Sequence, residues 1–122
     1  MKTLIMKKQP GGIVFANDNN FHETLKSFGS QLVLINFLHG GKDFEKHLNL
    51  LLRAQQDHHY RLSAVIVNKN EAVRISREFN IIGTPTIVLM KNGKEFNRIL
   101  GTIEDLELSE ILEEIVDMET TE

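Results

Sequence analysis

Apolar residues fall along this chain in two kinds of pattern. Leu32-Val33-Leu34-Ile35-Asn36-Phe37-Leu38 and Leu62-Ser63-Ala64-Val65-Ile66-Val67 are near-continuous apolar runs of strand length. Such runs mark strands covered on both faces. Between and after them the spacing turns helical. Phe44, Leu48, Leu51, Leu52 and Gln55 recur at one face of a helix that starts near Asp43 and breaks at Asp57-His58-His59-Tyr60. Ala72, Ile75 and Phe79 mark a further helix, and Leu108, Ile111, Leu112 and Ile115 a last one. Nearer the start, Ile13-Val14-Phe15 reads as a short strand. Asn20, three residues before Glu23, is expected to cap a helix that turns Phe21, Leu25 and Phe28 inward and stops at Gly29-Ser30. Thr86 to Met90 and residues 95–100 read as two strands joined at Asn92-Gly93, a strong hairpin signal. Met90 and the phenylalanines are expected in the core.

The resulting order is βαβαβαββα. Helix-length crossovers favour parallel pairing among the early strands, and the hairpin makes the last pair antiparallel. This predicts an α/β fold: a three-layer sandwich whose central mixed sheet has about five strands, with four helices. Residues 1–12, closing on Pro10-Gly11-Gly12, read as a loose arm, 13–118 as one domain and 119–122 as an acidic tail.

Composition is that of an ordinary globular domain, with 41% hydrophobic and 25% charged residues in 122. No apolar run approaches the roughly 18 residues of a membrane span. The start, Met1 to Lys8, lacks the long apolar region and small-residue cleavage site of a signal peptide, so the expected location is cytoplasmic. Charge is unevenly placed. From Glu104 onward there are nine acids and no Lys or Arg, so the 14 Lys and Arg of residues 1–103 face only eight acids, a balance of +6. The acidic end is either a solvated helix face or a dock for a basic partner segment. No basic stripe interleaved with aromatics suggests nucleic acid.

Asn17-Asp18-Asn19-Asn20-Phe21, Val33-Leu34-Ile35-Asn36-Phe37, Phe79-Asn80-Ile81-Ile82-Gly83-Thr84-Pro85-Thr86 and Lys91-Asn92-Gly93-Lys94 together resemble the thioredoxin family in order and spacing, over about residues 13–117. The resemblance implies a thioredoxin fold with a cis bond at Thr84–Pro85. It implies redox chemistry only where the family's residues are present, and they are absent. The two cysteine positions fall on Lys42 and Glu45, the two tryptophans on Leu38 and Gly41, the buried aspartate on Asn36 and its lysine partner on Ile66. A thiolate at a helix N-terminus is the family's reagent, and the chain has no cysteine at all. A buried carboxylate and ammonium cost several kcal/mol to desolvate. A neutral amide beside an apolar chain is the cheaper core once the thiols are gone. The whole relay reads as dismantled.

Other chemistry is weakly signalled. Lys42 and Glu45 lie three apart at a helix start, and His39 precedes them, but each also fits an exposed surface position. His47, His58 and His59 lack metal-ligand spacing, so no metal and no cofactor are expected. The first reading is a non-catalytic thioredoxin-fold binding module, adaptor or chaperone-like. It would grip an extended peptide between His39, Gly40, Gly41, Lys42 and the edge Thr84, Pro85. Glu107, Glu110, Glu113 and Glu114 would form an acidic rim suited to a basic client. No nucleic acid or membrane partner is expected. The alternatives are a subunit of a larger assembly docking through a sheet edge or helix, and a cysteine-independent enzyme using His39, Lys42 or Glu45.

Overall fold

The structure is a computed structural model, and it describes residues 13–40, 42–58 and 62–120. The expected arm at 1–12, Gly41, His59 and the end of the tail at 121–122 lie outside those residues. The strands are β1 (Ile13–Ala16), β2 (Leu32–Leu38), β3 (Leu62–Asn68), β4 (Thr86–Lys91) and β5 (Lys94–Leu100). The helices are α1 (Phe21–Phe28), α2 (Lys42–His58), α3 (Val73–Glu78) and α4 (Asp105–Thr120). They form one five-stranded sheet in the order β1-β3-β2-β4-β5. β1 and β2 run parallel to β3, while β4 runs antiparallel to both β2 and β5.

All seven residues of β2 are buried, as its unbroken apolar run requires. Alternation along the strands divides the core into two layers. Leu34, Leu38, Ile66, Ile87 and Leu89 pack with Leu50, Leu51 and Ala54 of α2 and Leu108 and Leu112 of α4. Val33, Ile35, Phe37, Val65, Val67 and Val88 pack on the other face with Phe21, Phe28, Ala72, Ile75 and Phe79. Asn92 and Gly93 both take positive φ (55° and 77°), the geometry of a two-residue hairpin turn. Gly29, at φ 62°, ends α1 and donates its N–H to the Lys26 carbonyl.

Several expectations need correction. Leu52 is exposed, and His47 takes a buried place on the face of α2 instead. Phe15 and Phe96 are also exposed. Phe15 stacks on Phe44 at 6.1 Å between ring centroids. Phe96 is left without a partner on β4, because Leu89 faces Asn97 while Met90 faces Glu95, a β-bulge.

Asn20 precedes α1 but does not cap it with its side chain. Its Oδ1 instead accepts the Asn17 N–H (2.8 Å), while Asn17 Oδ1 accepts the N–H groups of Asn19 and Asn20. This closed turn presents Asp18 to a different helix. Its two carboxylate oxygens accept the N–H groups of Ile75 (3.0 Å) and Arg74 (3.3 Å), satisfying the start of α3 from outside the helix.

Asn36 is the polar residue of the buried strand β2. It pairs with Ile66 on one side and Ile87 on the other, and its even position sets it on the α2/α4 face with Leu34 and Leu38. The residue is fully buried, and neither atom of its amide has a hydrogen-bond partner. An orphaned buried polar group costs about 1–3 kcal/mol.

Asn36→Leu, similar in size and free of that cost, should therefore raise unfolding stability by about 1–3 kcal/mol in urea titration. Asn36→Asp should lower it by a few kcal/mol at neutral pH, because the site offers a carboxylate nothing to bind. Its folded-state pKa would lie above the unfolded value. The loss should thus be smallest below about pH 4 and grow as pH rises past that value. Asp18→Ala should cost about 1 kcal/mol in the same titration, with Asp18→Asn recovering most of it. An Asp18→Ala variant as stable as the parent would contradict the external cap.

Candidate functional site

The register brings two chain segments to one end of the sheet. Thr86, the first residue of β4, pairs with Phe37 near the end of β2. The loop after Leu38 and the turn before Thr86 therefore leave the sheet side by side. The first segment is His39, Gly40, Gly41 and the start of α2 at Lys42. Gly40 has φ 81°, a conformation side chains rarely adopt. His39 is exposed, and its Nε2 lies 3.4 Å from Asn70 Nδ2, so the ring leans towards the loop after β3. Glu45 is exposed one turn into α2. His39, Gly40 and the Lys42 backbone thus follow the end of β2 at this end of the sheet, while Gly41 lies outside the described residues.

The second segment is anchored at both ends. Ile81 donates its N–H to the Ser76 carbonyl (2.9 Å), and Pro85 accepts from the Gly101 N–H (2.9 Å). Thr86 Oγ1 donates to the Gly83 carbonyl (2.7 Å), tightening the turn. Thr84–Pro85 is a cis peptide bond, with Pro85 buried and Thr84 half-buried. Among the described residues, nothing hydrogen-bonds the Thr84 backbone N–H or C=O. Ile82, next to this turn, is 94% exposed.

Asn36 and Ile66, the degenerate positions, lie beneath this end of the sheet as one register pair. Neither reaches the surface. The first turn of α2 therefore has no titratable group supporting it from below at those two positions.

The acidic residues are placed less compactly than a rim. Glu107, Glu110, Glu113 and Glu114 are all exposed on α4. Glu107 lies in the first turn, where its Oε1 accepts the Glu104 N–H (3.3 Å). A rise of 1.5 Å per residue carries Glu113 and Glu114 roughly 10 Å further along the helix. Arg53 of α2 grips the start of α4, donating to both oxygens of Asp105 (2.6 and 3.0 Å). These hydrogen bonds hold the Asp105 carboxyl below its usual range and raise the Arg53 guanidinium. At the opposite sheet edge Arg98 pairs with Glu95 and donates to the Phe79 carbonyl. The hydrogen bonds from Arg98 likewise lower the Glu95 carboxyl.

One cleft at this end escaped the sequence reading. Lys69, Asn70, Val73, Ser76, Arg77, Asn80, Ile81 and Ile82 enclose about 680 Å³ on the α3 side. Their signal was faint, because its two cations lie eight residues apart, Lys69 before α3 and Arg77 within its last turn. Among the described residues no cluster of three or more His, Asp or Glu could hold a metal ion. No described helix is long and apolar enough to cross a membrane.

The family model "Thioredoxin" matches residues 12–114. The thiol:disulfide interchange protein DsbD of Campylobacter jejuni (strain RM1221) is 39% identical over 51 residues, which are 40% of this chain and 9% of that protein. Thioredoxin H2 of Arabidopsis thaliana is 35% identical over 54 residues, 44% of this chain and 41% of that one. The chain thus spans well under half the length of the curated relatives it matches. A solved mutant thioredoxin from Halobacterium salinarum NRC-1 superposes with a TM-score of 0.74 at 14% identity, covering 88% of this chain and 93% of its own. That likeness concerns the fold, and the family model, which takes in most of the chain, concerns its descent. The chain belongs to the thioredoxin family, as a member without cysteine and therefore without the means of thiol–disulfide exchange.

Proposed function

We propose that this domain is a non-catalytic binding module, adaptor or chaperone-like, that holds an extended protein segment across the Thr84–Pro85 turn. The observation that carries the reading is the unpaired Thr84 backbone at an exposed edge beside Ile82. An extended peptide laid there gains main-chain hydrogen bonds in the manner of an added strand. His39, Gly40 and Lys42 lie on the other side of the line it would take, and Gly41 belongs with them by sequence. The buried interior favours binding over chemistry: the register pair Asn36–Ile66 offers neither a proton donor nor a charge to a reacting group above it.

Acid on α4 gives the reading a directional element. Of the four glutamates, Glu107 is the nearest in sequence to Gly101, which hydrogen-bonds Pro85. The part of the client passing over α4 is proposed to be basic. Such attraction acts over a range of about 8 Å at physiological salt.

A docking subunit is the second reading, favoured by one feature. β5 is an edge strand carrying Phe96 and Leu100 exposed, the kind of edge that invites pairing with another chain.

Backbone hydrogen exchange on the isotope-labelled protein separates these readings. A peptide of alternating threonine and valine should slow exchange at the Thr84 amide, and Thr84→Trp should abolish its binding at any salt concentration. Replacing Glu107 and Glu110 with lysine should instead lower the association rate of a lysine-containing peptide, and its salt dependence, with little change in dissociation. Protection confined to β5 would favour the docking subunit. In an insulin-reduction assay the chain should give no rate above the dithiothreitol background.

A further inference from the structure

The cleft beside α3 differs in charge from the rest of this end of the molecule. Among the described residues its lining holds two cations, Lys69 and Arg77, and no carboxylate. Among the described residues neither cation has an ion-pair partner. The nearby charges are already engaged or stand outside the lining. Arg74 lies 3.9 Å from Asp18, Glu78 is 3.1 Å from His22 Nε2, and Glu71 is exposed next to Asn70 but does not line the cleft. The start of α3 is likewise taken, since Asp18 accepts its N–H groups.

Polar groups add to the two cations. Asn70 and Asn80 are in the lining, Asn80 with φ 54°, a conformation that asparagine tolerates better than most residues. Ser76, 96% buried, lies in the wall, and its hydroxyl has no hydrogen-bond partner. A buried hydroxyl without a partner is uncommon in a native fold and calls for an explanation. The remaining walls are apolar: Val73, half exposed, Ile81 and the almost fully exposed Ile82.

From these features we infer that the cleft lined by Lys69, Arg77, Ser76 and Ile82 receives an acidic side chain, with an apolar neighbour, from the extended segment that crosses Thr84–Pro85. The inference rests on the peptide-binding reading and names the chemistry of one end of that peptide. Ile82 is three residues before Pro85, so a strand leaving the turn on the α3 side passes over the cleft within about 10 Å. Its apolar residue covers Ile82 and Val73, and the carboxylate meets Lys69 and Arg77. On the other face of the sheet, α4 carries Glu107 and the acids that follow it. A client acidic at one end and basic at the other is therefore held in one orientation, because reversal sets like charges together at both ends.

Three fluorescent peptides test this. Each has the same eight-residue threonine–valine core and carries Leu-Asp-Glu at its N-terminal side, the same triplet at its C-terminal side, or Leu-Asn-Gln. Titration into isotope-labelled protein gives affinity and the amides perturbed. One of the two acidic peptides should bind about fivefold tighter than the neutral one at about 50 mM salt and perturb amides in 69–82. The advantage should shrink at about 300 mM salt. It should vanish in Lys69→Gln/Arg77→Gln, which should still bind the neutral peptide as the parent does. If the neutral peptide perturbs Thr84 and neither acidic form gains, or if the gain survives in the double variant, the cleft inference is overturned and the peptide-binding reading stands. An acidic peptide that perturbs 69–82 while none perturbs Thr84 upholds the cleft as an acid site and overturns the groove. Peptides that perturb no amide overturn both.

Discussion

The strand Leu32–Leu38 faces no water, and that constraint shapes the rest of the molecule. Every side chain on it must be matched by another element, and the two faces are matched differently. Leu34 and Leu38 find α2 and α4, whereas Val33, Ile35 and Phe37 find α1 and α3. Asn36 alone brings polar atoms into this strand's buried side, and it stands between two isoleucines that can offer it nothing. In the thioredoxin pattern an aspartate and a lysine are expected at Asn36 and Ile66. A neutral amide and a hydrocarbon there remove both buried charges, and with them the expense of desolvation. The retained amide is a remnant with a cost.

Above that neutral interior the surface is charged, and two regions of it differ in sign. α4, packed over the layer containing Asn36, is acidic along its length. The cleft beside α3, over the other layer, is lined by unpaired cations. The Thr84–Pro85 turn lies between the two. Two ion pairs each stay on one side of this boundary. Arg53–Asp105 joins α2 to α4 on one face, and Arg98–Glu95, with Arg98 reaching the Phe79 carbonyl, serves the other. The acid of α4 and the cations of the cleft thus differ in sign, an arrangement that orients a charged partner more than it strengthens its grip.

Much of the fold was legible in the sequence because its signals were local. The apolar runs of β2 and β3, the Asn92-Gly93 turn and the spacing of Leu108, Ile111 and Leu112 each report on their own element. What was not legible depended on distant partners. Asn20 looked like a helix cap, but Asn17 claims its side chain, and the true cap in that region, Asp18, serves α3 more than fifty residues away. Phe96 looked like core because the bulge that displaces it lies in the pairing of two strands, not in either one. His47 was weighed as a metal ligand, whereas the face of α2 makes it interior. The site followed the same rule. The turn at Thr84–Pro85 was visible as a motif, but Lys69, Ser76 and Arg77 share a cleft only after α3 has folded against the sheet.

The central claim is that this member has lost its redox machinery down to the buried pair, so that its interior now favours uncharged residues. The most direct measurement is the equilibrium unfolding free energy of Asn36→Asp/Ile66→Lys at pH 7, beside the parent. The account predicts that restoring the pair lowers stability by several kcal/mol even though each charge then has a partner, because the desolvation of both exceeds their attraction in this site. A double variant as stable as the parent, or more so, would show that the site still accommodates the buried charges and would contradict the account.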